Sequence, residues 1–289
     1  MNKQYLIELQ RRNSIIALIA SFITLICCLY SVAAGIMWYV SYDLSVHYLF
    51  QYFTQLSGIY CGFISALLIP YAIDGFRKKR FVCSKWLTLL HYSGVICTTL
   101  VFVFTLTIIS WYDPELAFGE YNILLHIACP LLILIAFHLL ESHHYLSFKD
   151  SFLAIIPIII YMIVYVYNVV ITKRWEDLYG FTKFAPFYVS ALIMIALSLA
   201  IALLIRYLHN LKINHANKRI MDNWDNNLDP IQVKIEVYGL GRYNGLRYKN
   251  DDVSLNIDIL RALSKKYNIK LEELTKAYTK GVLDGLEFN

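Results

Sequence analysis

The sequence predicts an all-α integral membrane protein, a six-transmembrane helix bundle with both termini cytoplasmic, followed by a small cytoplasmic α/β C-terminal module. Three observations predict this class. Of the 289 residues, 58% are hydrophobic and 16% are charged, and the mean hydropathy of +0.51 exceeds what a soluble domain needs. Six apolar stretches reach the length of about 20 residues that a spanning helix requires. Lysine and arginine cluster in some of the connections between these stretches and are absent from others.

The six stretches follow one another with short breaks, and we place the spans at 13–40, 48–74, 85–111, 122–144, 150–172 and 184–209. The first follows Arg11 and Arg12 and resembles a signal peptide, but it is longer than the apolar core of about 7–15 residues that such peptides carry. We therefore interpret it as a retained span. The breaks include a basic segment after residue 74, Asp113-Pro114 and Lys173-Arg174.

The distribution of basic residues predicts the orientation. They lie before the first span, between the second and third, and after the sixth, whereas the first and third connections have none. An even number of spans with cytoplasmic termini satisfies all of these positions, because cytoplasmic loops are rich in Lys and Arg. Lys173, Arg174 and Lys183 are the exception, since they fall on the predicted outer side.

The polar C-terminal part predicts a separate unit. We divide the chain into the bundle at 1–212, a linker rich in asparagine at 213–230 and the module at 231–289. Alternating apolar residues at 233–239 predict a short strand, and two amphipathic helices are predicted at 253–267 and 271–286. The glycines of GLGRYNG, residues 239–245, miss the dinucleotide-binding spacing and predict a tight turn.

Several functional classes are disfavoured. The formal charge of +5 is concentrated beside apolar segments, so it indicates membrane topology and no nucleic-acid partner. The six cysteines lack CxxC spacing. His138, Glu141, His143 and His144 cluster at the predicted inner interface, where solvation is the simpler interpretation than a metal site. We therefore expect no metal and no other cofactor.

Two residues at similar predicted depth carry the catalytic hypothesis. An ionisable His126 inside an apolar span is a functional-site hypothesis by default. At 1.5 Å per residue, Thr54 lies roughly 9 Å and His126 roughly 6 Å into their spans from the outer side. Thr54 begins a stripe of small residues at helical spacing, which indicates a face packed against other helices: Ser57, Gly58, Cys61, Gly62 and Ser65.

Neighbouring polar residues complete a predicted pocket. Tyr165 and Asn168 share one face of the fifth span near the same depth, and Cys129 follows His126 by three residues. A neutral histidine could activate a threonine hydroxyl, and Asn168 or a tyrosine could stabilise an oxyanion. The alternatives stay open at this point: an intramembrane threonine commonly bonds its own helix backbone, and a buried histidine can be structural.

Three segments resemble a known family. YFTQLSG at 52–58, NILLHIACPLLIL at 122–134 and ESHHYLS at 141–147 look like the androgen-induced and androgen-dependent multi-pass proteins, which hydrolyse fatty acid esters of hydroxy fatty acids. The pattern is also similar to a group of bacterial six-span membrane proteins, and to a more distant six-span relative, associated with lipid acyl transfer, that has cysteine in place of threonine. The resemblance covers roughly residues 48–179 and implies Thr54 as catalytic nucleophile and His126 as catalytic base.

The sequence departs from the family in one respect. The family tends to carry an acidic residue five or six positions after the proline of the histidine motif, where this chain has Ile135 and Ala136. Glu141, a turn later, is a substitute candidate.

The resemblance implies a lipid ester or fatty-acyl substrate, contacts with membrane lipids and localisation in the membrane, and the richness in Asn, Ile, Lys and Tyr suggests a bacterial cell membrane. Two alternatives are a transporter or channel that uses His126, and a lipid-binding sensor or scaffold whose tail engages a cytoplasmic protein partner.

Overall fold

A computed structural model describes residues 3–77, 84–119, 121–140, 145–184, 186–222, 229–247 and 257–286. Residues 141–144, which include three of the predicted ESHH cluster's members, lie outside this set. The chain forms two compact units, one comprising Asn2–Leu211 and the other comprising Lys212–Asn289 with Met1. Each unit is helical over the part that the structure describes.

Over its described residues the first unit contains seven principal helices and most of an eighth, in chain order: α1 (Lys3–Ser41), α2 (Phe53–Arg77), α3 (Lys85–Phe104), α4 (Pro114–Phe118), α5 (Cys129–Leu140), α6 (Phe148–Ala154), α7 (Ile156–Val166) and α8 (Phe187–Asp222), whose residues after Leu211 belong to the second unit. A 3₁₀ helix, Val46–Gln51, precedes α2. Single helical turns lie at Ser110–Tyr112 and Phe181–Phe184.

Three turns of π-helix interrupt the regular helices. They lie at Thr105–Ile109 after α3, at Leu124–Ala128 before α5, and at Tyr167–Ile171 after α7. A π turn shifts the register of side chains around the helix and is frequent at functional sites. The second of these turns carries His126.

Five helical segments are long and apolar enough to cross a membrane: Ser14–Ser41, Phe53–Arg77, Lys85–Ile109, Phe148–Ile171 and Phe187–Ile213. They coincide with five of the six predicted spans, and the chain therefore has the character of a multi-pass membrane protein. The fourth predicted span, 122–144, corresponds to a shorter apolar helix at Leu124–His138.

The predicted small-residue face of α2 is buried. Ser57, Cys61 and Ser65 are at most 3% exposed, and the glycines between them meet neighbouring helices. A Cβ atom at Gly58 would lie 2.7 Å from Leu125 Cδ2, and one at Gly62 would lie 3.1 Å from Cys28 Cβ. Small side chains thus let α2 approach both α1 and the turn that carries His126.

Buried side chains tie the remaining helices together through backbone carbonyls. The Tyr92 hydroxyl donates to Ala202 O at 2.5 Å, and the Ser93 hydroxyl donates to Ala154 O at 2.7 Å. The Asn210 amide accepts from Leu146 N and donates to Leu146 O. These bonds matter because a polar group buried in an apolar bundle costs free energy unless it is paired.

The second unit corrects two predictions. The residues predicted as a strand and a tight turn lie in helix α9 (Pro230–Arg247), which packs with α10 (Ile257–Tyr267) and α11 (Leu271–Leu286). No strand occurs in the described part of this unit, so the α/β assignment is wrong there. The reason is periodicity: Val233 and Val237 are buried at helical spacing, whereas Ile235, which the strand pattern also placed inside, is 62% exposed.

Gly241 has a packing role in this unit. A Cβ atom there would lie 2.1 Å from the Tyr278 carbonyl oxygen on α11. The backbones of α9 and α11 therefore meet at a point where only glycine fits. Gly241, predicted from the sequence to lie in a tight turn, instead lies where two helices cross.

Candidate active site

Thr54 and His126 line the same cavity, which has a volume of about 610 Å³. The cavity lies between α1, the start of α2, the end of α3, α4 and the connection that follows the third π turn. Its wall contains aromatic, apolar and polar groups, among them Trp38, Tyr39, Leu49, Tyr52, Gln55, Phe104, Ile108, Asp113, Glu115, Tyr121, Asn122 and Tyr179. A cavity of this size accommodates part of a lipid molecule.

Thr54 is the second residue of α2. Other hydroxyls in the bundle donate to their own helix, as Thr98 does to Gly94 O and Thr107 to Val103 O. The Thr54 hydroxyl has no hydrogen-bond partner among the described residues. Because Thr54 is the second residue of α2, no α2 carbonyl lies four residues before it, so the backbone bond that mid-helix threonines form is absent here by position.

The N-terminus of α2 is capped by a distant side chain. The Tyr179 hydroxyl accepts a hydrogen bond from Phe53 N at 2.8 Å. Helix N-termini leave backbone N–H groups unpaired, and this bond satisfies one of them. Tyr179 thus fixes the first turn of the helix that presents Thr54 to the cavity.

His126 is 4% exposed and has one ring nitrogen committed. Its Nδ1 lies 2.7 Å from Ala117 O, and because a carbonyl only accepts, Nδ1 carries the proton. The neutral ring then leaves Nε2 as an acceptor. This is the tautomer that a general base needs, with a backbone carbonyl in the orienting position that a carboxylate takes in serine proteases.

Helix α4 holds that carbonyl in place. Asp113 caps the helix by accepting from Leu116 N at 2.9 Å, and Pro114 occupies the first turn, where its missing N–H is tolerated. Ala117 itself is fully buried. The Asp-Pro pair, which the sequence marks as a break between spans, therefore orients the histidine.

No hydrogen bond joins Thr54 to His126 within the residues that the structure describes. The two side chains face a common space without direct contact through a hydrogen bond. A water molecule or a substrate hydroxyl in the cavity can connect a hydroxyl and an imidazole in that arrangement, since apo active sites often tighten only when ligand binds.

A second, narrower cavity of about 30 Å³ also reaches Thr54. Its lining is almost wholly apolar and includes Leu100, Ile158, Met162 and Met194. Methionine side chains adapt their shape easily. Thr54 therefore lies where a cavity with polar walls meets an apolar cleft.

Gln55 is a site residue that sequence reasoning missed. Its side chain lines the larger cavity and is only 4% exposed, yet Oε1 has no hydrogen-bond partner in the described part of the chain. A buried unpaired amide oxygen costs about 1–3 kcal/mol, so its presence next to the cavity calls for a functional explanation. Its position beside Thr54 was the available signal.

A cluster around Asp177 supports Tyr179. The carboxylate accepts hydrogen bonds from the Tyr165 hydroxyl, Phe181 N and both donors of Thr182. Burial acts to raise the pKa of Asp177, but these hydrogen bonds outweigh it and hold the pKa below its usual value. Burial also raises the pKa of the Tyr179 hydroxyl to about 12, so this group stays neutral.

The other predicted site residues occupy different surroundings. Asn168 donates its amide to Val164 O on its own helix at 2.9 Å, and the Ser57 hydroxyl donates to Thr54 O. Cys129 Sγ lies 3.9 Å from Cys28 Sγ. The Tyr165 hydroxyl donates a hydrogen bond to the Asp177 carboxylate. None of these four is among the described residues that line the larger cavity.

Metal ligation has no support in the described residues, which contain no group of three or more His, Cys, Asp or Glu side chains placed to hold an ion. His138 is described, but the other members of its predicted cluster lie outside the described set.

Comparisons with family models, with curated proteins and with solved structures find no match to this chain. The geometry of the site therefore carries the functional argument.

Proposed function

We propose that this chain is an intramembrane threonine hydrolase of lipid esters, with Thr54 as nucleophile and His126 as general base. The observation that carries the proposal is that two groups with the required chemistry line one cavity. The Thr54 hydroxyl has no hydrogen-bond partner among the described residues, and Ala117 O binds Nδ1 of the buried His126 ring, which leaves Nε2 as the acceptor. The motif resemblance at 52–58 and 122–134 supports the same assignment.

The first half-reaction forms an acyl-enzyme. His126 Nε2 accepts the hydroxyl proton, Thr54 Oγ1 bonds to the ester carbonyl carbon, and the carbonyl oxygen becomes an oxyanion. When the tetrahedral intermediate collapses, the carbon–oxygen bond to the alcohol breaks and His126 returns the proton to the leaving oxygen. The products of this step are the free alcohol and an acyl ester on Thr54.

The second half-reaction releases the acid. A water molecule gives a proton to His126 Nε2 and attacks the acyl carbon, and Thr54 leaves with that proton. If an alcohol replaces water, the same chemistry is acyl transfer. The Gln55 amide, beside Thr54 in the cavity, supplies a donor for the oxyanion, a role that the sequence assigned to Asn168.

The membrane setting of the proposal includes features beyond the five long helices. In it, Leu124–His138 and the residues that follow complete a sixth span, both termini are cytoplasmic, and the cavity opens toward the outer leaflet of a bacterial cell membrane. The lack of Lys and Arg in the first and third connections supports this orientation. The larger cavity, of about 610 Å³, has the room for part of a lipid ester.

An activity-based fluorophosphonate probe tests the nucleophile. We expect the purified protein to be labelled and the modified peptide to carry the probe on Thr54. Thr54→Ala should abolish labelling, and His126→Gln should slow it by about 100-fold or more because the base is lost. Thr98→Ala is the matched control, since that hydroxyl is committed to Gly94 O in α3.

Labelling of Thr54→Ala at the wild-type rate would refute the assignment. Each variant is first shown to elute as a monodisperse species in detergent and to unfold near the wild-type temperature. A loss of probe labelling then reports on the chemistry and not on folding. Turnover of a fluorogenic long-chain acyl ester by wild type, and its loss in both variants, completes the test.

A further inference from the structure

The ionisable side chains that line the larger cavity have one sign. Asp113 and Glu115 are exposed carboxylates on its wall, and His126 is neutral in the tautomer described above. No lysine or arginine belongs to the described residues that line it. The bundle as a whole is basic, so the cavity differs in charge from the rest of the protein.

Aromatic rings surround the same space. Trp38, Tyr39, Tyr52 and Tyr121 all line the cavity, and Trp38 packs against Tyr39 with ring centroids 5.2 Å apart. The faces of aromatic rings carry negative charge density and attract cations, above all quaternary ammonium groups. Carboxylates and aromatic rings together therefore favour a positive ligand group and disfavour a negative one.

The buried end of the cavity identifies where the ester lies. Gln55 and His126 are each 4% exposed, whereas Asp113 and Glu115 are exposed. Thr54 precedes Gln55 in α2 and lines the same end of the cavity. An ester group held beside Thr54 places the polar end of its alcohol portion toward the carboxylates.

From this arrangement we propose that the cavity selects lipid esters by charge, and that an ester with a cationic polar end binds best, a neutral one less well and a carboxylate-bearing one worst. The inference rests on the proposed function for its catalytic readout, but the binding order can be measured without turnover.

The test uses three esters with the same oleoyl chain: oleoylcholine, monooleoylglycerol and an oleoyl ester of a hydroxy fatty acid. Protein in neutral nanodiscs is assayed for kcat/KM at low ionic strength. We expect each step down the series to lower kcat/KM by about three- to tenfold, the effect of one or two partly screened charges. Raising the salt concentration from about 0.05 to 0.5 M should reduce the differences in kcat/KM among the three esters, because the Debye length becomes shorter and the wall charges are screened.

Variants of the carboxylates that line the larger cavity test whether these groups cause the charge preference. Glu115→Gln should reduce the preference for oleoylcholine over the carboxylate ester by about threefold, and Glu115→Lys should reverse it. Glu176→Gln is the matched control, since Glu176 is an exposed carboxylate of another connection and does not line the cavity. A selectivity shift in Glu176→Gln equal to that in Glu115→Gln would overturn the assignment.

Binding to the Thr54→Ala protein distinguishes failure of the inference from failure of the proposed function. Dissociation constants of the three intact esters should follow the same order. Ordered binding without turnover by wild type would refute the hydrolase and keep the charge selection. Turnover with equal or reversed preference, matched by unordered binding, would refute the charge selection and keep the hydrolase.

Discussion

Gly58 offers a direct test of how the site is held together. In Gly58→Ala the new methyl group would lie 2.7 Å from Leu125 Cδ2, whereas apolar carbon atoms prefer about 3.5–4.0 Å. One group must therefore move by roughly 1 Å. Leu125 is 2% exposed and immediately precedes His126, so the displacement is transmitted to the base.

The expected magnitudes differ for stability and activity. Overpacking costs about 1–3 kcal/mol, but alanine in a helix is more favourable than glycine by about 1 kcal/mol, so the net destabilisation should be about 0–2 kcal/mol. A misplacement near 1 Å at a reacting group lowers the rate by up to about 100-fold. We therefore expect a loss of kcat/KM of about 10- to 100-fold, with the free energy of unfolding lowered by no more than about 2 kcal/mol.

A double-mutant cycle with Leu125→Ala identifies the contact. Leu125→Ala alone should destabilise the protein by about 2–5 kcal/mol through the space that it leaves, and the methyl group of Gly58→Ala partly fills that space. The free energy of unfolding of the double variant, measured in detergent micelles, should fall short of the sum by more than about 0.5 kcal/mol. Ile59→Ala, on the outward side of α2 at 38% exposure, is the control.

Additive effects in that cycle would refute the reasoning, because they would mean that the two positions do not share space. A wild-type kcat/KM in Gly58→Ala would refute the link between the close approach of α2 and the position of His126. Either result would leave the cavity itself intact and would require another account of how the histidine is placed.

Three further predictions concern other parts of the chain. Asp177→Asn should lower the Tm at neutral pH. Because the folded pKa of this carboxyl is lowered, its contribution to stability is present above the unfolded pKa of about 3.9 and is lost as the pH falls through the folded value. The gap in Tm between wild type and variant should therefore narrow only below about pH 4, and a pH-independent gap would contradict the pKa shift. Gly241→Ala should destabilise the second unit by about 3 kcal/mol or more, since the added atom would lie against the Tyr278 carbonyl oxygen. Limited proteolysis of the full chain should then cut within residues 229–286 first. Resistance to proteolysis equal to that of the wild type would exclude the close crossing of the two helices. Gln55→Leu should lower kcat by about 100-fold with little change in KM if the amide stabilises the oxyanion, whereas a change confined to KM would indicate a ground-state contact.

Much of the fold follows from local properties of the sequence. Apolar length located five helices of spanning length, and helical spacing of small residues identified the buried face of α2. The same reasoning failed at 233–239, where three apolar residues at spacing two also fit a helix. Only packing against α10 and α11 decides that Val233 and Val237 are inside and Ile235 is outside.

The sequence by itself determined which chemical groups were available and on which helices, because helix length, polarity and the placement of Thr54 and His126 are local. The tertiary structure decided which of them share a cavity, because that depends on helix rotation and on close approach at Gly58. It brought Tyr179 to the start of α2, kept Asn168 bonded to its own helix, and oriented His126 through Ala117. Contacts between residues distant in sequence arise only when helices pack, and no periodicity within one segment encodes them.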